Sequence, residues 1–456
     1  MARGKKKETL TPEERLQVAL VPEGEQPYPV PENWCWTRME NIAQWGSGGT
    51  PSRKIPEYYN GDIPWIKTGE LNDDYIFETE EHITEEAISH SSAKLFPVNT
   101  VAIAMYGATI GKVGILGVAA TTNQACACGV SNSLANYKYL FYYARSQKDN
   151  FIKKGKGGAQ PNISQEIIKS HEFPLPPLSE QHRIVDRIES LFAKLDEARQ
   201  KAQDALDSFE TRKAAILHRA FTGELTSQWR KEHGVGMESW ENLKIGTYAQ
   251  VKGGKRLPKG HKLVTERTTH PYLRIADFGD GTINDSDLNY ITEDTFSQIK
   301  NYIINKEDVY ISIVGSIGKA GVIPESLNGA NLTENAARII SSRTLPRYLS
   351  SFLSSPKAQN DIQNRIRSAT LGKLSLLNIK DIETPVPSIE EQTEIVRFLD
   401  DLLAKEQQAK EAAEGVLEQI DLIKKAILAR AFRGELGTND PSEESAVELL
   451  KQISSC

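Results

Sequence analysis

"AILHRAFTGEL" at residues 215–225 returns as "AILARAFRGEL" at residues 426–436, with nine of eleven letters unchanged across an interval of 211 positions. Sliding the chain by that interval aligns 174–225 with 385–436 without a gap, so a long segment is duplicated rather than a short motif. The two segments open with "PLPPLSEQHRIV" and "PVPSIEEQTEIV", and apolar residues then follow alternating steps of four and three. They are Ile184, Ile188, Leu191, Leu195, Ala198, Ala202, Ala205 and Phe209 in the first copy. In the second they are Ile395, Leu399, Leu402, Ala409, Ala413, Val416, Ile420, Ile423 and Ile427, with Glu406 as the one polar intruder. A 3.5-residue period places one apolar seam along each helix, and such a seam needs a partner helix to cover it. Two copies in one chain supply each other; packing of each helix on an unrelated domain is the alternative. Ser388 and Glu391 have capping-box spacing at a helix start, and Gly223 and Gly434 are placed for left-handed C caps. Some 40 helical residues per copy would span about 60 Å.

A chain of 456 residues exceeds what one core organises and implies roughly two to four domains. The stretches before each helix share punctuation: "PWIKTGEL" matches "PYLRIADF", and "VAIAMYGATIGKVGIL" matches "VYISIVGSIGKAGVI". Their short apolar runs, split by Gly, Pro, Asn and Asp, predict strands and turns, with helical patches near 84–92, 136–152 and 344–366. The expected organisation is an N-terminal extension (1–23), a first globular domain (24–173), a central helical region (174–235), a second globular domain (236–384), a distal helical region (385–436) and a C-terminal tail (437–456). The fold class is α/β (α+β): two similar domains separated by two long antiparallel coiled-coil helices, an internal pseudo-twofold repeat. In the extension, Thr11-Pro12-Glu13-Glu14 can start a short helix with Thr as N cap. A solvated tail, basic through Lys5, Lys6 and Lys7, is the expectation there.

Composition is that of a globular protein, with 39% hydrophobic and 25% charged residues. No run approaches the roughly 18 apolar residues of a membrane span, which points to a cytoplasmic chain. Cys35, Cys126, Cys128 and Cys456 form neither a disulfide framework nor paired zinc spacing, and Cys126-Ala-Cys128 reads as an apolar strand. The net charge of −6 does not exclude nucleic acid, because an electrostatic footprint is local. "GATIGKV" and "GSIGKAG" lack the GxxxxGK-Ser/Thr pattern of a phosphate loop, and no nucleophile stands beside a plausible base. Two diverged readers on one helical spacer suit a bipartite site on a linear polymer such as DNA. A scaffold holding proteins or glycans at both ends of a coiled coil is the competing reading.

Taken together, "GSGGTPSRKIPEYYNGDIPWIKTGEL", the "PLPPLSEQ" and "PVPSIEEQ" helix entries, and the duplicated "RAFTGEL" and "RAFRGEL" helix ends closely resemble the specificity subunits of type I restriction-modification enzymes. The resemblance covers almost the whole chain. It implies that each globular domain is a target recognition domain reading half of a split double-stranded DNA sequence. It further implies that the helices set the spacer and dock two adenine-methylating modification subunits, through which ATP-dependent restriction subunits join. The chain itself would be non-catalytic, with S-adenosylmethionine, ATP and Mg2+ used by the partners. An adenine methyltransferase of this kind would need an Asn-Pro-Pro-aromatic stretch, and the chain has none.

Phosphate contacts call for Lys, Arg, Ser, Thr and bare backbone amides; base readout calls for Arg, Lys, Asn and Gln. The candidates in the first domain are Ser47, Thr50, Ser52, Arg53, Lys54, Lys67, Tyr106, Thr109, Lys112, Lys154, Lys156 and Gln160. In the second they are Lys252, Lys255, Arg256, Lys259, Arg274, Ser316, Lys319, Arg365, Arg367, Thr370 and Lys373. Asn123-Gln124 and Glu334-Asn335 sit at comparable places, where either amide could read adenine or satisfy buried backbone groups. Arg219, Phe221, Arg430 and Phe432, at the repeated helix ends, are candidates for presenting matching patches to two copies of one partner.

Overall fold

The computed structural model describes residues 11–155, 162–367 and 372–454. It divides into two compact units, one formed by residues up to 201 together with those from 416 onward, the other by residues 202–415. The division falls inside the long helices, so each unit holds one globular domain and a stretch of each helical copy.

In the first unit a five-stranded sheet runs in the order Ala43–Ser47, Cys126–Ser131, Val101–Ala104, Val113–Leu116, Tyr75–Ile76, antiparallel except for the last pair. A three-stranded sheet sets Ile63–Ile66 between His82–Ile83 and Thr121–Thr122. Cys35–Arg38 pairs with Glu172–Leu175, tying the start of the domain to its end. Cys126-Ala-Cys128 is a fully buried strand segment, as its apolar character predicts, and burial pushes the Cys128 thiol up to about 12. The helix Tyr137–Ser146 opens where the Asn136 side chain accepts from the Lys138 amide, and buries Tyr139, Leu140, Phe141, Tyr143 and Ala144 in the unit's main core.

The second unit repeats this plan. Its main sheet is ordered Ala249–Gly253, Ala336–Ser341, Val309–Ser312, Ala320–Val322, and its second sheet Asn289–Tyr290, Pro271–Leu273, Ala330–Leu332, Ile303–Ile304. Glu241–Lys244 pairs with Glu383–Val386 as the closing ribbon. The helices Pro346–Leu353 and Pro356–Arg367 fall where a helical patch is predicted. The fold is thus an internal repeat of one α+β design.

Within each unit the helical copies run antiparallel. In the first unit Lys424 reaches Asp196 at 2.5 Å and Arg199 meets Asp421; in the second Arg212 binds Glu406 at 2.8 Å. That last pair accounts for the polar intruder in the seam. Ile184, Ile188, Ala202 and Phe209 are buried, as are Ile395, Leu399, Ala413 and Ile420. Two expectations need correction. Val416 and Ile423 are 40% and 43% exposed, because a 3.6-residue helix drifts about 20° per heptad from a 3.5-residue pattern. Moreover, the first copy is two helices, Leu178–Asp207 and Phe209–Phe221, whereas the second is continuous from Ile389 to Ala431. At the break the Ser208 hydroxyl donates to the Asp204 carbonyl at 2.8 Å and Arg212 donates to the Ala205 carbonyl, a local competition that Gln419, at the same place in the other copy, does not offer.

The helix entries are fixed by buried polar residues. Gln181 accepts from the Asn136 amide and donates to the Leu134 and Pro176 carbonyls; Gln392 makes the same three bonds with Leu345, Arg343 and Pro387. Glu180 accepts from Trp34 and Asn439, while Glu391 accepts from Trp240, Thr226 and Arg230. The expected capping box at Ser388 is therefore half formed: Ser388 accepts from the Glu391 amide at 3.2 Å, but the Glu391 carboxylate faces inward. The copies end as predicted, with Gly223 at φ 80° and Gly434 at φ 72°.

The first and last described segments both belong to the first unit. Thr11 forms a reciprocal capping box with Glu14, and the helix Pro12–Ala19 packs against the C-terminal helix Ala446–Ser454. Leu16 and Leu20 pack, partly buried, against the core that Ala446 and Leu450 enter, so this helix is docked on the unit by one face while Thr11, Pro12, Glu13, Glu14, Gln17 and Val18 stay exposed. Lys5, Lys6 and Lys7 lie outside the described residues.

His171, 3% exposed, faces Gln147 through Nε2 and accepts from the Lys154 ammonium at Nδ1, 3.0 Å away. Burial and then the Lys154 charge push its pKa down to about 4. A depressed histidine stabilises the fold above its unfolded pKa of about 6.5 and loses that contribution as pH falls towards 4, at most about 3 kcal/mol. Between pH 6.5 and 4 the first unit should therefore lose protection in hydrogen exchange, and His171→Gln should flatten that dependence; an equally steep profile in the variant would contradict the assignment.

Candidate nucleic-acid interface

In the first unit the turn 123–126 is a junction of separate loops. The Gly49 amide donates to the Thr122 carbonyl at 2.8 Å, the Asn123 amide to Ile66 at 2.9 Å and the Met105 amide to Ala125 at 2.9 Å, while the Ile163 amide reaches Met105. The glycine-rich loop, the end of "PWIK", the "MYGATIGK" turn and the approach to the last helix thereby converge. Gly48 is required for this crossing, since a Cβ there would lie 2.1 Å from the Thr122 carbonyl oxygen.

The second unit builds the same junction at 333–336. Lys255 donates to Leu332, Gly254 to Ala336, Thr333 to Leu273, Ile313 to Asn335 and Leu374 to Ile313. A Cβ on Gly254 would meet the Thr333 carbonyl at 2.1 Å, the counterpart of the Gly48 contact.

The side chains on the two platforms differ. In the first, Arg53 lies over the rings of Tyr59 and Trp65, at 4.1 and 5.0 Å, and pairs with Glu81, which also takes Lys67 at 3.1 Å. The hydrogen bond from Arg53 and then that from Lys67 hold Glu81 below the usual carboxylate range, against the opposing effect of burial. Thr50 donates to the exposed Gln124 side chain. Lys54 and Tyr106 are exposed, and Ser47 closes the first strand. In the second unit Arg256, 81% exposed, binds Glu334 at 2.8 Å; Lys255 lies over Tyr302; Lys252, Lys259 and Lys373 are exposed.

Other candidates are turned to structural work. Arg274 binds Asp277 through two nitrogens and the Asp287 carbonyl through a third contact, closing a short turn. Lys67 occupies the equivalent place, where Glu70 accepts from its backbone amide as Asp277 does from that of Arg274. Lys154 is held by His171 and Glu172, and Arg365 by Asp361 and the Asp381 carbonyl. Lys319 donates to the Phe278 carbonyl, the Ser316 carbonyl accepts from Ser312, and Thr109 donates to the Tyr106 carbonyl. Ser52 accepts from the Lys54 amide. Lys112 is half-buried, its carbonyl bonded to Ala104, and Arg367 ends a helix. Lys156, Gln160 and Thr370 lie outside the described residues. Sequence reasoning missed the counter-ions Glu81 and Glu334 and the Tyr59–Trp65 bed. The signal within reach was the acid three residues beyond Lys67 and Arg274, which marks a capped turn.

The partner-facing expectation also changes. Phe221 stacks edge-on with Tyr348 and Phe352 at 5.4 and 5.3 Å, and Phe432 with Tyr139 and Tyr143 at 5.3 and 5.0 Å. Both phenylalanines are core residues of their units, unable to meet a partner from there. Arg219 and Arg430 remain on the surface, with side chains 58% and 63% exposed.

The family described as the type I restriction modification DNA specificity domain matches residues 31–205 and again 237–415, one match for each recognition platform. The chain belongs to this family of type I specificity proteins. The EcoKI specificity subunit of Escherichia coli (strain K12) is 23% identical over 458 residues, covering 93% of this chain and 95% of the relative. The MjaIX specificity subunit of Methanocaldococcus jannaschii is 25% identical over 427 residues, with 89% and 94% covered. A 157-residue stretch, 33% of this chain, is 34% identical to 39% of the EcoR124I/EcoR124II specificity subunit of Escherichia coli. Among solved structures, the specificity subunit of Thermoanaerobacter tengcongensis superposes with a TM-score of 0.62 at 19% identity, covering 90% of this chain and 99% of that one. A chain from a structure on assembly of the type I restriction-modification system gives 0.68 at 20% identity, covering 90% and 100%. These share the fold. Among the described residues of this specificity subunit, no helix is long and apolar enough to cross a membrane, and no three His, Cys, Asp or Glu side chains are gathered as a metal site.

Proposed function

We propose that this specificity subunit reads a bipartite double-stranded DNA sequence, the first unit contacting one half-site and the second the other. The observation that carries the reading is one backbone junction built twice with different polar side chains. Thr50, Arg53, Lys54, Lys67 and Gln124 decorate the first; Lys252, Lys255, Arg256, Lys259 and Asn335 decorate the second. Phosphate contacts position such platforms, and side chains at the junction discriminate bases. Arg53 and Arg256 are held by carboxylates in free protein; phosphates would compete for them.

The remaining assignments rest on membership of the family. Two modification subunits dock on the equivalent helical copies, the helices set the spacer between half-sites, and restriction subunits join through the modification subunits. Adenine methylation, ATP-driven translocation and cleavage belong to those partners, with S-adenosylmethionine, ATP and Mg2+. The specificity subunit contributes recognition and no catalysis, and works in the cytoplasm.

Salt titration checks the DNA reading. The logarithm of the affinity should fall linearly with the logarithm of salt, with a slope of about −0.9 per phosphate neutralised. Lys54→Ala should lower that slope by about one without altering sequence preference. Affinity for DNA that does not respond to salt would favour a protein- or glycan-binding scaffold instead.

A further inference from the structure

The two junctions place one bridging side-chain pair at the same spot. The Gly48 and Gly49 amides donate to the Cys126 and Thr122 carbonyls, as the Gly254 and Lys255 amides do to Ala336 and Leu332. Thr50 and Arg256 are therefore equivalent, each the next residue of its loop, and Gln124 and Glu334 are equivalent on the facing turn. In the first unit the Thr50 hydroxyl donates to Oε1 of Gln124; in the second, Nε of Arg256 donates to Oε1 of Glu334 at 2.8 Å. The bridge across the junction is kept, while a neutral pair in one unit is an ion pair in the other. Side chains that differ together on an unchanged backbone are what two readers of different sequences require.

Arg256 is held at its root and left open at its tip. Beside it, Tyr272, 4% exposed, donates through its hydroxyl to the Lys255 carbonyl at 2.8 Å, so the loop is pinned from both sides. Glu334 is fixed in turn by the Thr333 hydroxyl, which donates to Oε2 at 3.1 Å. Nε of Arg256 is thus committed, whereas its two terminal nitrogens make no hydrogen bond among the described residues, and the side chain is 81% exposed. An ion pair this exposed adds little to stability. It does limit the orientations of a planar, forked donor.

We infer that Arg256 is a specificity-determining residue that reads one guanine of the second unit's half-site, with Glu334 as its positioning residue. This deepens the bipartite reading above and rests on it. The terminal nitrogens of a guanidinium offer two parallel N–H donors, which match O6 and N7 of guanine on its major-groove edge. Adenine carries an amino group in place of O6, so the same fork would meet another donor there. Glu334, by accepting from Nε, turns the terminal nitrogens outward and keeps them from adapting to another base. Thr50 offers no such fork, so the two half-sites are read differently from this position.

The test uses the complete methyltransferase assembly, with the target first defined by mapping methylated adenines in cells that express it. Exchange of residues 236–384 for the equivalent domain of a relative identifies the half-site that the second unit reads. Methylation is then measured on duplexes in which each specified base pair is changed in turn. Arg256→Ala should lower discrimination at one G·C pair of that half-site by about 10- to 100-fold, leaving the other half-site unchanged. Glu334→Gln should lower discrimination at the same pair by a smaller factor and add nothing in the Arg256→Ala background, because it acts through the arginine. A Glu334→Gln effect of equal size in both backgrounds overturns the positioning role. If Arg256→Ala instead weakens binding uniformly across sequences and lowers the salt slope by about one, the arginine holds a phosphate; the inference is then wrong and the bipartite reading stands. Discrimination that survives Arg256→Ala at every position, or falls only at an A·T pair, also overturns it, as does a half-site with no specified G·C pair. A target that is not split defeats the bipartite reading itself.

Discussion

Arg230→Met is expected to destabilise the second unit by about 3–5 kcal/mol, as removing one member of a buried ion pair does. The Glu391 carboxylate is fully buried and Arg230 is its charged partner at 2.6 Å, with a side chain 9% exposed. Arg230 also donates to Thr226 and to the Gly223 carbonyl, so it links the end of one helical copy to the start of the other. Its loss leaves an anion in the core with only Trp240 and Thr226 as donors. Hydrogen exchange resolved by segment should show protection falling in residues 236–384. A second substitution, Glu391→Gln, in the same chain should recover most of the loss, because it removes the unpaired charge. If Arg230→Met alone shifts stability by less than about 1 kcal/mol, the pair is not buried as described.

The first unit solves the same problem without a cation. Pro441 stands where the repeat would place a second Arg230, and Glu180 is held by the indole of Trp34 at 2.7 Å and the amide of Asn439 at 2.9 Å. Burial raises the Glu180 pKa, so its contribution to stability diminishes as pH rises through the window above the ordinary carboxyl value. The C-terminal segment is thereby part of the first unit's structure, a role Arg183 reinforces through two bonds to Glu443 at 2.8 Å.

Phe432→Ala should cost the first unit about 3–5 kcal/mol, the usual range for removing a buried phenyl ring. The ring is 1% exposed and edge-on to Tyr139 and Tyr143, contacts that add to its area burial. Arg430→Ala, two residues earlier on the surface, should change stability by no more than about 0.5 kcal/mol. The contrast is measured by chemical denaturation with segment-resolved exchange. Equal and small effects for the two would place Phe432 outside the core. The strongest repeat in the sequence is thus retained for packing: each copy of the motif plugs the core of a recognition domain, and its glycine turns the chain away.

What could be read in advance follows from the range of the interactions. Most seam positions, the C-cap glycines and the buried Cys126–Cys128 strand are set by local periodicity or by a neighbour a few residues away, and the sequence carries them directly; Val416 and Ile423 depart because the helix drifts from the heptad. The destination of Phe221 and Phe432 was not legible, because their partners Tyr348 and Tyr139 are separated from them by 127 and 293 positions. The break at Ser208 turns on a hydroxyl competing for a helical carbonyl, a small preference that a heptad pattern hides. For the interface, residue type located loops that the fold gathers at each junction, but not which side chains those loops leave uncommitted. Arg274 looked like a phosphate ligand, yet Asp277 three residues on claims it; Gln124 looked ambiguous, and only the fold separates it from Asn123.

The most direct measurement is methylated-adenine mapping in cells carrying the complete enzyme, before and after residues 24–173 are replaced by the equivalent domain of a relative. The account predicts a split target in which the exchange rewrites one half and leaves the other half unaltered. A continuous target, or a change in both halves at once, would contradict it.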